Sequence, residues 1–155
     1  WTYINLPIDE IKKMAIASIK DSTKMYFSCD VAKYLDKDRG LLDTKNFDYG
    51  SIFGTTFNMD KTQRIKTFYS SSSHEMTLTA VDNETNGTPV KWKVENSWGE
   101  KYGQNGYLIM TDEWFNEYMF RLVVNKKYAS AKVLSVLHEK PIRLPAWDPM
   151  FASEE

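Results

Sequence analysis

Hydrophobic and polar residues alternate in two runs near the middle of the chain. Residues 76–81 (MTLTAV) and 90–95 (VKWKVE) place apolar side chains at every second position, which is the period of a strand that buries one face. The segment 82–88 between them is polar, contains glycine and is typical of a turn. We therefore predict an antiparallel hairpin, in which the start of the first strand lies beside the end of the second.

A helical pattern precedes these strands. Over residues 8–20 apolar side chains recur three and four positions apart, and Pro7 suits the first turn of a helix. We predict an amphipathic helix here that packs against the sheet, with Lys12, Lys13 and Lys20 on or beside its outer face. A helix that binds a partner protein is the alternative.

Weaker patterns place the remaining elements. Aromatic and apolar runs predict strands, helix-start signals predict helices, and serine-, glycine- or proline-rich stretches predict irregular segments. The predicted strands are 24–29, 106–110 and 120–125; the helices are 59–68, one that starts at Thr111, and 130–137; residues 31–35 form a helical turn, 41–57 a loop with short strands, 70–73 a flexible serine loop, and 141–149 an extended stretch.

Two polar residues with complementary chemistry flank the predicted hairpin. His74 opens the first strand and Asn96 follows the second, so the hairpin brings them together. An amide oxygen bound to one ring nitrogen fixes the imidazole tautomer and leaves the other nitrogen facing a nucleophile. Trp98 is placed to cover this hydrogen bond and exclude water. The alternative is a structural histidine beside an ordinary strand end.

Several motifs around these residues form a more specific pattern. They are HEM at 74–76, KWKVENSWG at 91–99, GYLIMTDEWFNEY at 106–118, VVNKK at 123–127 and PAWDPM at 145–150. The pattern resembles the bleomycin hydrolase and aminopeptidase C branch of the papain-like cysteine peptidases, over essentially all 155 residues. The resemblance implies an α+β fold, in which this chain forms the β-rich half, an antiparallel, barrel-like sheet with flanking helices. We expect residues 1–140 to carry the histidine and asparagine, and residues 141–155 to form an extended tail.

The resemblance also implies a reaction. Members of this branch are cysteine aminopeptidases that hydrolyse peptide or aminoacyl-amide substrates through a Cys-His-Asn triad, and they need no cofactor. In this chain His74 is the expected general base, Asn96 its orienting partner and Trp98 the supporting cover. His74 and His138 have no metal-ligand spacing around either of them, so we expect no metal site.

The nucleophile is the missing part of this pattern. Cys29 is the chain's only cysteine and lacks the Cys-Gly-Ser-Cys-Trp context of the family. It also lies much closer to His74 than the roughly 130–150 positions of the papain pattern, and the adjacent Asp30 disfavours a thiolate. We therefore predict a structural role for Cys29. We expect the nucleophile in a missing N-terminal half, in agreement with the lack of an initial methionine, and we expect this fragment alone to be inactive.

Two other interpretations stay open. A non-catalytic binding or scaffold module would keep this fold without a nucleophile, although such a module has no use for an intact histidine, asparagine and tryptophan set. A dyad of Cys29 and His74 would act independently of any missing half, and it requires a thiol of low pKa.

The tail carries a second functional indication. In the resembling family the segment after the PAWDPM motif extends into the active-site cleft, where the terminal carboxylate pairs with the α-amino group of the substrate. Glu155 is the residue expected to supply that carboxylate here. The ending FASEE at 151–155 departs from the family's usual small, apolar ending. A terminus without fixed structure is the alternative.

Composition narrows the remaining function classes. The 20 basic and 21 acidic residues nearly cancel, so charge indicates no nucleic-acid partner. No run of about 18 apolar residues is present, so we expect no membrane span. A single cysteine fits a reducing compartment, and we expect a cytoplasmic enzyme. The resemblance further implies a homo-hexamer for the full-length protein.

Overall fold

The computed structural model describes residues 2–151, and its centre is a mixed β-sheet with helices packed against it. The strands are β1 (Met25–Cys29), β2 (Leu35–Asp36), β3 (Leu41–Leu42), β4 (His74–Asn83), β5 (Pro89–Glu95), β6 (Tyr107–Thr111) and β7 (Met119–Val123). The α-helices are α1 (Ile8–Lys20), α2 (Tyr49–Phe53), α3 (Lys61–Lys66), α4 (Asp112–Tyr118) and α5 (Ala131–Ser135). Short 3₁₀ turns cover Lys126–Tyr128, Val136–His138 and Pro149–Phe151.

The order of the strands places the predicted hairpin at the middle of the sheet. That order is β2-β3-β6-β5-β4-β1-β7, and β4 and β5 pair antiparallel as predicted. The other pairs are antiparallel too, except that β3 runs parallel to β6. The predicted α+β architecture is confirmed, and the parallel pair makes the sheet mixed rather than wholly antiparallel.

Helix α1 spans the predicted residues and buries its apolar side against the core. Ala15 is fully buried, and Ile8 and Ile11 pack against the buried cluster. The placement of Lys12 on or beside the outer face is wrong, because this side chain is buried and its ammonium lies 2.5 Å from the Asp112 carboxylate. An ion pair inside the fold has overridden the usual exposure of lysine.

Helix α4 begins at the predicted cap and joins three elements. The Thr111 hydroxyl accepts a hydrogen bond from the Trp114 backbone N–H at 3.2 Å, as an N-cap does. Next to the cap, Asp112 binds Lys12 of α1 through one oxygen and accepts from the Trp92 indole N–H of β5 through the other, at 2.9 Å. The aromatic residues of α4 lie in the core, as predicted. One carboxylate therefore ties α1, β5 and α4 together.

Helix α3 fixes the segment that leads into β4. Asp60 caps α3, and Lys61 donates to the carbonyls of Asn116 and Met119, at 2.9 and 2.7 Å, at the end of α4. Burial lowers the pKa of Lys61 to about 8. A flexible serine loop at 70–73 is a wrong prediction, because Ser70 and Ser71 are buried and the Ser70 hydroxyl donates to Asp30 at 2.7 Å. The Ser70 N–H also donates to the Arg64 carbonyl of α3 at 3.2 Å, and the Ser73 N–H donates to the Cys29 carbonyl of β1 at 3.1 Å, so neighbouring elements hold this polar run.

Two further stretches differ from their sequence patterns. Residues 31–34 form a turn that leads into β2 instead of a helical turn through Leu35. The stretch predicted as loop with short strands contains β3 but also α2, which Asp48 caps by accepting from the Ser51 N–H at 3.0 Å. None of the helices between residues 2 and 151 is long and apolar enough to cross a membrane.

The Asp112 contacts predict a large stability effect. Replacing Asp112 with alanine should lower the free energy of unfolding by about 3 kcal/mol, because it leaves the Lys12 ammonium and the Trp92 N–H buried without an acceptor. Urea unfolding followed by tryptophan fluorescence measures this loss. The matched control Asp38→Ala removes an exposed carboxylate and should change stability by less than about 0.5 kcal/mol. Equal losses in the two variants would contradict the assignment.

Candidate active site

Strand pairing brings His74 and Asn96 together, as the hairpin predicts. His74 is the first residue of β4, and Asn96 directly follows β5, whose last residue Glu95 pairs with Thr77. The Asn96 backbone N–H donates to the Gly106 carbonyl at 2.9 Å, which holds it against the segment that enters β6. Both side chains are half-buried at the same end of the sheet.

One hydrogen bond orients the imidazole. Nε2 of His74 lies 2.8 Å from Oδ1 of Asn96. An amide oxygen only accepts, so Nε2 is the donor and Nδ1 is the unprotonated nitrogen of the neutral ring. The Ser97 backbone N–H donates to the same oxygen at 2.8 Å and keeps the amide from rotating. Within residues 2–151 Nδ1 has no hydrogen-bond partner and is available to accept a proton.

The Trp98 ring packs on the imidazole. The two ring centroids lie 4.9 Å apart with an angle of 33° between the planes. Gly99 follows with a φ of +93°, a left-handed conformation that favours glycine and turns the chain away after Trp98. The predicted contact is confirmed, and an apolar ring beside the His74–Asn96 bond reduces competition from water. The catalytic roles of these residues stay a prediction.

Cys29 lies near His74 but has the wrong environment for a nucleophile. The two residues pair directly across β1 and β4. Burial raises the pKa of the Cys29 thiol well above its ordinary value, and the carboxylates of Asp30 and Glu75 raise it further. The side chain is fully buried. A thiol that stays protonated and out of reach of solvent does not attack a carbonyl, which excludes the Cys29–His74 dyad.

The chain after residue 141 returns to the sheet beside the start of β4. Residues 141–145 lie outside any helix or strand, but a turn at 146–147, in which the Asp148 N–H donates to the Pro145 carbonyl at 3.0 Å, and the 3₁₀ turn from Pro149 interrupt the predicted extended stretch. Arg121 of β7 donates to the Met150 carbonyl at 3.1 Å and to the Ser72 hydroxyl at 3.5 Å. Ser72 precedes His74 by two positions, so Arg121 links the described end of the tail to the segment that enters β4. Glu155, the predicted substrate-binding residue, lies outside the described residues.

Three residues around the candidate site and its tail were missed from the sequence. Arg121 holds the tail, and Lys37 and Tyr102 line a small cavity next to Trp98. Tyr102 lies three positions after the KWKVENSWG motif, so this aromatic residue could have been identified as part of the site from the sequence. Lys37 follows β2 and Arg121 belongs to β7, and only the fold brings Lys37 to Trp98 and Arg121 to the tail. The described residues contain no cluster of three or more histidine, cysteine or acidic side chains that would hold a metal ion.

Known proteins match this chain over nearly its whole length. The Peptidase C1-like family model matches residues 1–151. Bleomycin hydrolase of Mus musculus is 51% identical over 156 residues, covering 99% of this chain and 34% of that protein. Aminopeptidase C of Listeria monocytogenes is 43% identical over 148 residues, covering 96% of this chain and 33% of that protein. The crystal structure of PepW from Lactobacillus rhamnosis matches with a TM-score of 0.91 and 41% identity, over 96% of this chain and 34% of that one.

The matches cover nearly all of this chain but only part of each relative. The chain spans about a third of the length of the curated relatives it matches. PepW shows that this third has the same fold within a longer polypeptide.

The orientation of His74 is testable without activity. Replacing Asn96 with alanine should convert a single Nε2–H tautomer into a mixture with Nδ1–H, because the amide oxygen that selects the tautomer is lost. Two-bond ¹H–¹⁵N spectra of the imidazole report the tautomer, and His138→Gln identifies the second histidine's signals. The exposed control Asn86→Ala should leave the His74 signals unchanged. A single tautomer that persists in Asn96→Ala would disprove the orienting role.

Proposed function

The chain belongs to the Peptidase C1-like family, in its bleomycin hydrolase and aminopeptidase C branch, and we propose that it supplies the histidine and asparagine of a Cys-His-Asn triad. The nucleophilic cysteine lies in a segment outside this chain. The full enzyme hydrolyses peptide and aminoacyl-amide bonds. The observation that carries the proposal is the 2.8 Å bond from His74 to Asn96, which leaves Nδ1 of the ring available for a thiol.

Two further observations support the division of the triad. Cys29 is the only cysteine in the sequence, and burial raises its pKa, so the nucleophile has to come from elsewhere. The relatives named aminopeptidase C and bleomycin hydrolase are about three times as long as this chain, which leaves ample sequence for it.

The proposed reaction follows from the state of the imidazole. Nδ1 of His74 takes the thiol proton, and the resulting imidazolium stabilises the thiolate. The thiolate attacks the carbonyl carbon, a C–S bond forms, and the imidazolium proton passes to the leaving nitrogen as the C–N bond breaks. Water, deprotonated by His74, then attacks the thioester; the acid is released and the thiol is restored. Asn96 keeps the ring aligned as its charge changes.

The proposed aminopeptidase mode rests on the tail. Arg121 binds the Met150 carbonyl and also Ser72, which holds the described end of the tail at the segment that enters β4. We propose that the carboxylate of Glu155 then pairs with the α-amino group of the substrate. A tail in this position leaves room for only a short amino-terminal part of a substrate, and a fixed carboxylate holds an ammonium by a charge-assisted hydrogen bond.

Reconstitution tests the division of the triad. This chain alone should not hydrolyse aminoacyl-aminocoumarin substrates, whereas the same chain joined to the cysteine-bearing segment should be active. His74→Ala in the joined enzyme should lower kcat by at least about 100-fold, since the general base is lost. The matched control His138→Ala removes the other, exposed histidine and should retain activity.

Two outcomes would contradict the proposal. Hydrolysis by the chain alone would return Cys29 to consideration as a nucleophile. A joined enzyme that folds and remains inactive would favour the scaffold interpretation.

The tail has a separate test in the joined enzyme. Arg121→Met should lower cleavage of free aminoacyl substrates relative to N-terminally blocked ones by about 3- to 10-fold, the net worth of one ordinary hydrogen bond, about 0.5–1.5 kcal/mol. Cleavage rates of the paired substrates give this ratio. Arg143→Met, on an exposed arginine of the tail itself, is the control and should keep the wild-type ratio. An unchanged ratio in Arg121→Met would show that Arg121 does not position the tail.

A further inference from the structure

A small cavity lies directly beside the candidate active site. It has a volume of about 340 Å³ and is lined by Lys37, Trp98 and Tyr102. Trp98 lines this cavity, and its ring also packs on the imidazole of His74. Trp98 and Tyr102 meet edge to face, with centroids 6.2 Å apart and planes at 76°, and form an apolar corner. The cavity therefore begins one ring away from the imidazole.

The cavity and the tail lie on opposite sides of His74. The sheet order runs from β2 through β4 to β7. Lys37 directly follows β2, whereas Arg121, which holds the tail, belongs to β7. His74 opens β4 between them. In strand order the tail contact lies toward β7 and the cavity toward β2, so a substrate that the proposed tail carboxylate holds at His74 would extend toward the cavity.

This placement gives the substrate a direction. In the proposed function the amino-terminal part of the substrate lies on the tail side, and His74 gives its proton to the leaving nitrogen. The part of the substrate beyond that nitrogen then extends away from the tail, toward Trp98, Tyr102 and Lys37. The cavity is thus on the leaving-group side of the bond that breaks.

Lys37 places a positive charge at the cavity, where it can bind a ligand. Its ammonium lies 6.0 Å from the centroid of the Trp98 ring, and the side chain is exposed. The adjacent Asp36 accepts from the Arg39 backbone N–H at 3.0 Å and lies 3.8 Å from its guanidinium, so this carboxylate is engaged with Arg39. Within residues 2–151 Lys37 itself forms no ion pair.

We propose that Lys37 is a specificity-determining residue that binds a carboxylate in the leaving part of the substrate, while Trp98 and Tyr102 contact its carbon skeleton. The inference rests on the proposed function and adds a substrate class to it. Two sources provide the same chemistry: an acidic side chain in the residue after the scissile bond, or the terminal carboxylate of a dipeptide. An exposed ammonium binds either by a salt-sensitive ion pair.

Matched substrates separate the two sources. Ala-Glu-amide carries a side-chain carboxylate, Ala-Gln with a free carboxyl group carries a terminal one, and Ala-Gln-amide carries none. The joined enzyme should cleave at least one of the first two with a kcat/KM about 3- to 5-fold above that of Ala-Gln-amide at low ionic strength. The preferred substrate identifies the source. The advantage should shrink in about 0.5 M salt, where exposed charges are screened.

Variants of Lys37 decide whether this residue causes the preference. Lys37→Gln should bring the ratio of kcat/KM values to about 1, and Lys37→Glu should reverse it by a similar factor. Lys101→Gln removes an exposed lysine of the loop that carries Tyr102, and it should keep the wild-type ratio. Released products, separated by chromatography, give the rates.

The possible failures are distinguishable. Equal cleavage of all three substrates, or a preference that survives in Lys37→Gln, would overturn the role of Lys37 and leave the peptidase proposal intact. An enzyme that cleaves none of these three substrates and also no aminoacyl-aminocoumarin would overturn both the role of Lys37 and the peptidase proposal.

Discussion

The pairing register between β4 and β5 decides whether the imidazole and the amide meet. Leu78 pairs with Val94, but Ala80 pairs with Lys93, so Thr79 is an extra residue in β4. Its hydroxyl donates to the Lys93 carbonyl at 3.0 Å, which stabilises this bulge. If the register of Ala80–Asp82 continued unbroken toward His74, every residue of β5 would shift by one relative to the start of β4. Such a shift turns side chains to the opposite face, and Asn96 would point away from His74.

The same bulge shows what the sequence could and could not predict. The hairpin, α1 and the proximity of His74 to Asn96 follow from local periodicity and from the short polar break, and the structure confirms them. Strict alternation would put Ala80 in the core after Leu78, yet Val81 packs there because Thr79 interrupts the period. The parallel pairing of β3 with β6 and the burial of Lys12 and Ser70 likewise depend on partners distant in sequence.

Proximity to His74 alone does not make a side chain reactive. Cys29 is the direct cross-strand neighbour of His74 and the only cysteine in the sequence. Burial and two nearby carboxylates favour its neutral thiol, whereas a nucleophile requires the thiolate. The half-exposed position of His74 at the sheet's end, with Nδ1 unbound among the described residues, is instead suited to a group that approaches from outside this chain. Cys29 therefore has an apolar packing role, and proton transfer falls to His74 only in the proposed enzyme.

In the order of the strands, His74 lies between two cationic residues, Lys37 after β2 and Arg121 on β7. Arg121 on β7 binds the main-chain carbonyl of Met150 and so holds the tail where its described part ends. Lys37 beyond β2 points its charge toward the cavity next to Trp98. In the proposed enzyme the tail side therefore selects a positive amino group and the Lys37 side a negative carboxylate. This matches the opposite charges at the two ends of a short peptide, and it follows from strand order rather than from any one motif.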